Sequence, residues 1–138
     1  MEIKLKNVLN YNTVFKNIID NSNVSGQLKF RFLTALKQFE PVVANFNQIK
    51  DDFIVKYGSV QPDGGYAIIE PDKQNFENDT EYETALNTYV ENFKAFTDEI
   101  NKLLEELVEI NFTKFDVSIM DANIPSDALL LIYDLIEV

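Results

Sequence analysis

The residue types that could do chemistry in this sequence are few, because its 138 residues include no cysteine and no histidine. This composition excludes disulfides, thiolate nucleophiles and most transition-metal sites, and it removes the commonest general base. Carboxylates, lysine, tyrosine and serine remain, and these could form a catalytic carboxylate pair or a site for a hard cation. No spacing singles out such a pair, so we assign no catalytic residue and expect a protein that is not an enzyme and has no cofactor.

The stretch Ile54–Asp72, "IVKYGSVQPDGGYAIIEPD", holds most of the candidate binding residues. A glycine-containing turn lies between two tyrosines, and exposed loops of this kind often carry function. In the functional interpretation Lys56, Tyr57, Asp63 and Tyr66 project towards a ligand or partner. In the structural alternative the two tyrosine rings pack the hairpin onto the helices.

Arg31 is the only arginine and the fifth candidate. A guanidinium group can bind phosphate or carboxylate through two parallel hydrogen bonds. The alternative role for Arg31 is an ordinary surface salt bridge. The cluster Asp116, Asp121, Asn123 and Asp127 does not fit the EF-hand spacing, and such residues near a proline are common in turns and caps. We therefore predict no metal site. The paired glycines lie only in the hairpin turn, which leaves no phosphate-binding glycine loop.

A long helix is predicted to lead into the hairpin. Apolar residues recur every three or four positions from Leu28 onwards, which indicates an amphipathic helix to about Tyr57. Pro41 either kinks this helix or splits it in two. Gly58 is expected to end it in a left-handed conformation, and Tyr66–Ile69 is expected to form the returning strand.

A second long helix is predicted to follow the hairpin. Its apolar positions step by four and three in a heptad pattern, on a helix of roughly 25 to 30 residues. They are Tyr82, Leu86, Tyr89, Phe93, Phe96, Ile100, Leu103 and Leu107. The aromatic residues favour pairing within one chain, with the helix from Phe32 to Phe53, over a self-associating coiled coil. A homo-oligomer is the alternative.

Short strands and a terminal helix complete the expected fold. "EIKLK" alternates as a strand, and Asn7 or Asn10 could cap the first helix. The alternating residues of the 108–120 region predict a strand that pairs with the N-terminal and hairpin strands in one small antiparallel sheet. Ser126 is the expected cap of the last helix. The residues of that helix expected to face inward are Leu129, Ile132, Tyr133 and Ile136.

The predicted fold class is therefore α+β and mainly helical, with two long antiparallel helices, a small antiparallel sheet and a short C-terminal helix. No linker or repeat interrupts the sequence, which predicts a single domain over residues 1–138.

The net charge of −11 argues against binding nucleic acid through its phosphate backbone. Such charge either keeps a small protein in solution or indicates a nucleic-acid mimic or a binder of basic proteins. No apolar stretch is long enough to span a membrane, and "MEIKLKNV" lacks the features of a signal peptide. We therefore expect a cytoplasmic protein with no membrane partner.

The order of elements resembles small uncharacterised phage proteins of the DUF1617-like group. The resemblance is carried by Lys56-Tyr57-Gly58, by the hairpin with "YAIIEPDK" and by the ending Ser126–Glu137. It implies an origin in a phage or prophage and a host-cell location, and it supplies no catalytic residues.

Three functions fit these observations. The first is a non-enzymatic protein of a phage or mobile element that occupies or inhibits a host protein, such as a defence protein, through its acidic surface. The second is a sponge or hydrolase for a small signalling nucleotide, built around Arg31, the lysines and the hairpin. The third is a virion assembly factor, which the helical patterns would suit if they support an oligomer.

Overall fold

The computed structural model describes residues 1–137 and divides the chain into two compact units. Unit 1 comprises Met1–Ala44 and the chain from Glu105 onwards, and unit 2 comprises Asn45–Leu104. The mainly helical α+β class is confirmed. The assignment of one domain stays a prediction.

The helices and strands alternate irregularly along the chain. In order they are β1 (Glu2–Lys4), α1 (Leu5–Asn21), α2 (Gly26–Tyr57), β2 (Ser59–Val60), β3 (Tyr66–Ala67), α3 (Asp79–Leu104), β4 (Leu107–Glu109), β5 (Phe115–Asp116), α4 (Ser126–Leu131) and β6 (Ile136–Glu137). Short 3-10 turns occupy Lys73–Asn75, Val117–Asp121 and Tyr133–Leu135.

Both long helices are present. α2 is one helix of 32 residues that contains Pro41, so the alternative of two separate helices is wrong. α3 has 26 residues, and the side chain of Asn78 accepts a hydrogen bond from the backbone of Glu81 at 2.8 Å just before its first turn. α1 begins at Leu5, ahead of the expected asparagine caps, because β1 runs directly into it.

The core of unit 1 is built around the ring of Phe15. Phe15 is fully buried, and its centroid lies 4.9 Å from that of Phe32, 5.6 Å from Phe39 and 5.9 Å from Phe115. The other buried residues on the apolar face of α1 and the buried residues of the C-terminal segment complete this core. The first part of α2 therefore buries its apolar face on α1 and β5 of the same unit.

The expected single sheet is wrong, because the strands form three separate pairs. β1 pairs with β4 antiparallel, with Ile3 opposite Val108, whereas β2 and β3 pair only with each other. β5 pairs with β6 in parallel. The single strand predicted through residues 108–120 is wrong, because β4 and β5 are separate and residues 110–114 lie in neither. After β5 the Asp116 carboxylate accepts a hydrogen bond from the backbone of Ser118 at 2.8 Å and starts a 3-10 turn.

The C-terminal segment differs from the predicted helix in two ways. Ser126 is the first residue of α4 and not its cap, because Pro125 holds the cap position without a side-chain hydrogen bond. Tyr133 is 48% exposed, so its predicted inward orientation is wrong, whereas the inward orientation of Leu129, Ile132 and Ile136 is confirmed. α4 ends at Leu131, and beyond that residue the helical period no longer decides which side chains face the core.

An ion pair ties β1 and α1 to the chain that follows α3. The Nζ atoms of Lys4 and Lys6 each lie 2.7 Å from a different carboxylate oxygen of Glu105. Their hydrogen bonds and positive charges lower the pKa of Glu105 to about 2.

Unit 2 is packed differently. Among its described residues, 45–104, none is buried. The heptad positions of α3 are half-buried at best, and Phe93 is 48% exposed. Unit 2 therefore leaves apolar surface exposed, and exposed apolar surface is where proteins bind partners.

Candidate functional site

A tight turn positions the hairpin at the end of α2. The backbone N–H of Gln61 donates to the carbonyl of Gly65 at 2.8 Å, and the N–H of Gly64 donates back to the carbonyl of Gln61 at 2.9 Å. Gly64 has a φ of +87°, the left-handed conformation that glycine adopts most easily. The Asp63 carboxylate accepts a hydrogen bond from the N–H of Gly65 at 2.9 Å, so it helps to close the turn.

Gly58 joins α2 to the hairpin by allowing a close approach of two backbone segments. The predicted left-handed conformation is wrong, since Gly64 is the only glycine of positive φ among the described residues. A Cβ atom at Gly58 would instead collide with the carbonyl oxygen of Ile54 and lie 2.8 Å from that of Ala67. The glycine is required by this contact with β3.

A groove of about 650 Å³ lies in unit 2, between the hairpin and α3. One wall is the chain Ala67–Asp72 together with β2, and the other is one face of α3. The α3 residues that line it are Ala85, Thr88, Tyr89 and Asn92, and Asn75 and Phe76 close one side. Its size is in the range of sites for small ligands or peptide segments.

The charged groups that line the groove are carboxylates. Glu70 and Asp72 contribute to the wall, and no lysine or arginine is among the described residues that line it. The lysines nearest in sequence have partners, since Lys73 lies 3.5 Å from Asp79 and Lys56 lies 5.0 Å from the centroid of the Tyr57 ring. The groove thus combines partly apolar walls with negative charge.

The two candidate tyrosines have different environments. Tyr57 is half-buried, lines the groove and packs on Phe53 with the ring centroids 6.3 Å apart. Tyr66 is 45% exposed and lies opposite Val60 in the hairpin. Tyr57 therefore serves packing and the groove together, whereas Tyr66 presents its ring to solvent.

Arg31 lies in unit 1 and is engaged there. Its guanidinium donates to the carbonyl of Thr113 at 2.9 Å and lies 4.5 Å from the centroid of the Phe115 ring. These contacts hold the chain between β4 and β5 against α2. The hydrogen bond and the ring engage part of the guanidinium, and Arg31 also lines a cavity of about 250 Å³ in unit 1, a different compact unit from that of the other four candidates.

The aspartates near the C-terminus also have structural partners. Asp116 caps the 3-10 turn at Ser118, and Asp127 accepts a hydrogen bond from the N–H of Ala128 at 3.0 Å. No group of three or more acidic side chains within residues 1–137 could hold a metal ion.

Sequence reasoning missed most of the groove. Ile68, Ile69, Glu70 and Asp72 line it, although the sequence marked them only as the end of a strand. A signal was present in "IIEPD", where apolar residues precede two acids and Pro71 prevents continued strand pairing.

Two further findings bear on identity. Within residues 1–137, no helix combines the length and the apolar character that crossing a membrane requires. Comparison of the chain with protein-family models, curated proteins and solved structures found no match.

Proposed function

We propose that this is a non-catalytic binding protein, whose groove takes a segment of a partner protein that carries both apolar and basic side chains. The observation that carries the proposal is the composition of the groove, in which apolar and uncharged polar residues surround Glu70 and Asp72, the only charged groups that line it. The apolar part of the walls contributes affinity through burial, and carboxylates that form no salt bridge among the described residues favour lysine or arginine on the partner.

The same composition disfavours the nucleotide alternative. Protein sites for phosphate groups present arginine, lysine, a helix N-terminus or a glycine-rich loop. Here a phosphate in the groove would meet Glu70 and Asp72 without a lining cation to offset them. Arg31, which the nucleotide hypothesis combined with the lysines and the hairpin, lies in the other unit and contacts Thr113 and Phe115.

The surrounding charge supports a basic partner. Residues 45–104 contain twelve acidic residues and five lysines, a net charge of −7 out of −11 for the chain. A surface of one sign accelerates the encounter with a partner of the opposite sign. On the resemblance to small phage proteins, this partner would be a host protein, which the bound protein inhibits by occupying its basic segment.

The proposal is tested on an array of random twelve-residue peptides probed with labelled protein. The bound peptides should be enriched in lysine or arginine together with apolar residues, and binding should weaken as salt rises. The variant Glu70→Lys with Asp72→Asn reverses the groove's charge from −2 to +1, and the asparagine retains the oxygen that accepts a hydrogen bond from Gln74. We expect about tenfold weaker binding from the lost charge pairs.

A matched control makes the same change in net charge elsewhere in unit 2. Asp51→Lys with Asp52→Asn alters two exposed residues of α2 that do not line the groove, and the asparagine keeps an acceptor for Gln48. This control should bind within about twofold of the original protein, since only long-range charge changes. Equal losses in the two variants, a preference for acidic peptides, or stabilisation by a cyclic nucleotide would refute the proposal.

A further inference from the structure

The shape of the bound segment follows from the hydrogen bonding of the hairpin, and this inference rests on the proposed function. We propose that the partner segment binds in extended form, as a third strand along the outer edge of β3, with alternating basic and apolar residues. Strand addition to an exposed edge is a common mode of peptide recognition, because backbone hydrogen bonds supply affinity and alternate side chains supply specificity.

The alternation of hydrogen-bonded and non-bonded pairs in the hairpin determines which backbone N–H and C=O groups of β3 point away from β2. The hydrogen bond from Gln61 to Gly65 closes the turn, and the next pair along the ladder is Val60 with Tyr66. Antiparallel pairs alternate between those that exchange hydrogen bonds and those that do not. Val60 and Tyr66 form a non-bonded pair, so the N–H and C=O of Tyr66 point away from β2.

The chain beyond β3 continues this free edge. In the described part of the chain, the backbones of Ile68, Ile69 and Glu70 make no hydrogen bond to another segment. In extended backbone, Ile68 presents its peptide groups on the same side as Tyr66, two residues earlier. Asp72 is extended, with φ −94° and ψ 122°. Unpaired backbone groups in this arrangement are a template for another strand.

The side chains along this edge specify the alternation in the partner. Glu70 and Asp72 are two residues apart and share one face of an extended chain, whereas Ile69 belongs to the other face. Neighbouring strands place residues of the same face next to each other. Lysine or arginine at every second position would meet the carboxylates, with apolar residues between them.

Two further observations select a basic partner over a second copy of this chain. Proteins usually protect exposed strand edges with lysine or with proline inside the strand; Tyr66–Glu70 contains neither, and Pro71 ends the pairing edge after Glu70. A second copy would bring another unit of net charge −7 to the same edge, including its own Glu70. Like charges placed opposite each other on neighbouring strands are destabilising.

The test uses a fluorescein-labelled peptide of four Lys-Val repeats and two backbone-methylated forms of it. One form carries N-methyl groups on every valine, the other on every lysine, so side chains and charge are unchanged. A bound strand directs alternate N–H groups to its neighbour, so one form should lose at least about tenfold in affinity. The other form should bind within about twofold of the unmodified peptide, because its methyl groups face away from β3.

Amide hydrogen exchange supplies the second readout. Bound peptide should slow exchange at the N–H of Tyr66 and Ile68, while Ala67, which faces β2, should change little. Equal losses or no losses in the two methylated forms would overturn strand addition, and so would failure of the unmodified peptide to bind. A dimer without peptide, with Tyr66 and Ile68 already protected, would show that a second copy occupies the edge and would also overturn it.

These outcomes separate the two proposals. If the peptide array selects basic sequences through Glu70 and Asp72 but the methylated forms behave alike, strand addition fails and the binding function stands. If the groove variant binds the array as the original protein does, the proposed binding function fails, and strand addition fails with it because it rests on that function.

Discussion

Replacing phenylalanine by alanine at two positions should reveal the unequal packing of the two units. Phe15 is fully buried at the centre of unit 1, whereas Phe93 on α3 is 48% exposed in unit 2. The chemical change is the same in Phe15→Ala and Phe93→Ala. Only the environment of the ring differs.

The expected costs follow from burial. Removing a fully buried phenylalanine leaves a cavity and lowers the free energy of unfolding by about 3–5 kcal/mol. Full burial of such a side chain contributes about 1.5–3 kcal/mol, so a half-exposed ring contributes roughly half of that, and solvent fills the space left. Alanine is also the better helix former by about 0.5 kcal/mol. Phe93→Ala should therefore cost about 1 kcal/mol or less.

Urea denaturation followed by far-UV circular dichroism measures both costs, since the chain has no tryptophan to report on unfolding. Phe15→Leu keeps most of the side-chain volume and should fall between the original protein and Phe15→Ala. Size-exclusion mass is measured alongside, at the same protein concentrations.

Similar losses for Phe15→Ala and Phe93→Ala would refute this reasoning. A cost of about 3 kcal/mol or more for Phe93→Ala is the loss expected of a buried ring. If the original protein were then a dimer and Phe93→Ala a monomer, the heptad face of α3 would be an interface between two copies.

Two further predictions concern the junctions of the fold. Gly58→Ala should lower the free energy of unfolding by about 1–3 kcal/mol, because the added Cβ meets backbone atoms of Ile54 and Ala67. The matched control is Gly26→Ala, whose Cβ meets nothing within 4 Å. Equal stability of the two variants in urea would contradict the close approach at Gly58. The Glu105 carboxyl should titrate at about 2 by NMR, so its stabilising contribution is present above the usual pKa of a glutamate and is lost as pH falls towards 2. Lys4→Gln with Lys6→Gln should return this pKa towards its usual value, and an unchanged titration would show that the two lysines do not cause the shift.

The helices were predictable because their signals are local and repeated. The three-or-four spacing predicted α2 to Tyr57, and the heptad pattern predicted α3 although it placed the end near Leu107 and not at Leu104. The turn at Asp63 and Gly64 was likewise marked by residues whose conformational preferences are strong.

The pairing of strands was not predictable from the same local signals. Each strand has only two or three residues, so alternation indicates extended chain without naming its partner. The parallel pair of Phe115 with Ile136 joins residues twenty-one positions apart and depends on how α4 ends. The candidate site was likewise predictable only where the signal is local. Tyr57 was found from its residue type and position, whereas the groove wall at Ile68–Asp72 depends on the tertiary position of α3.

The confinement of fully buried residues to one unit bears on how this protein can change over generations. Substitutions in unit 1 meet the strict volume limits of a packed interior, as the rings around Phe15 illustrate. Substitutions along the groove of unit 2 displace no buried side chain, so most should cost little stability. The surface of unit 2 can therefore vary in sequence while the packed interior of unit 1 is kept; under the proposed binding function, this would let the preference for a partner change without loss of the fold.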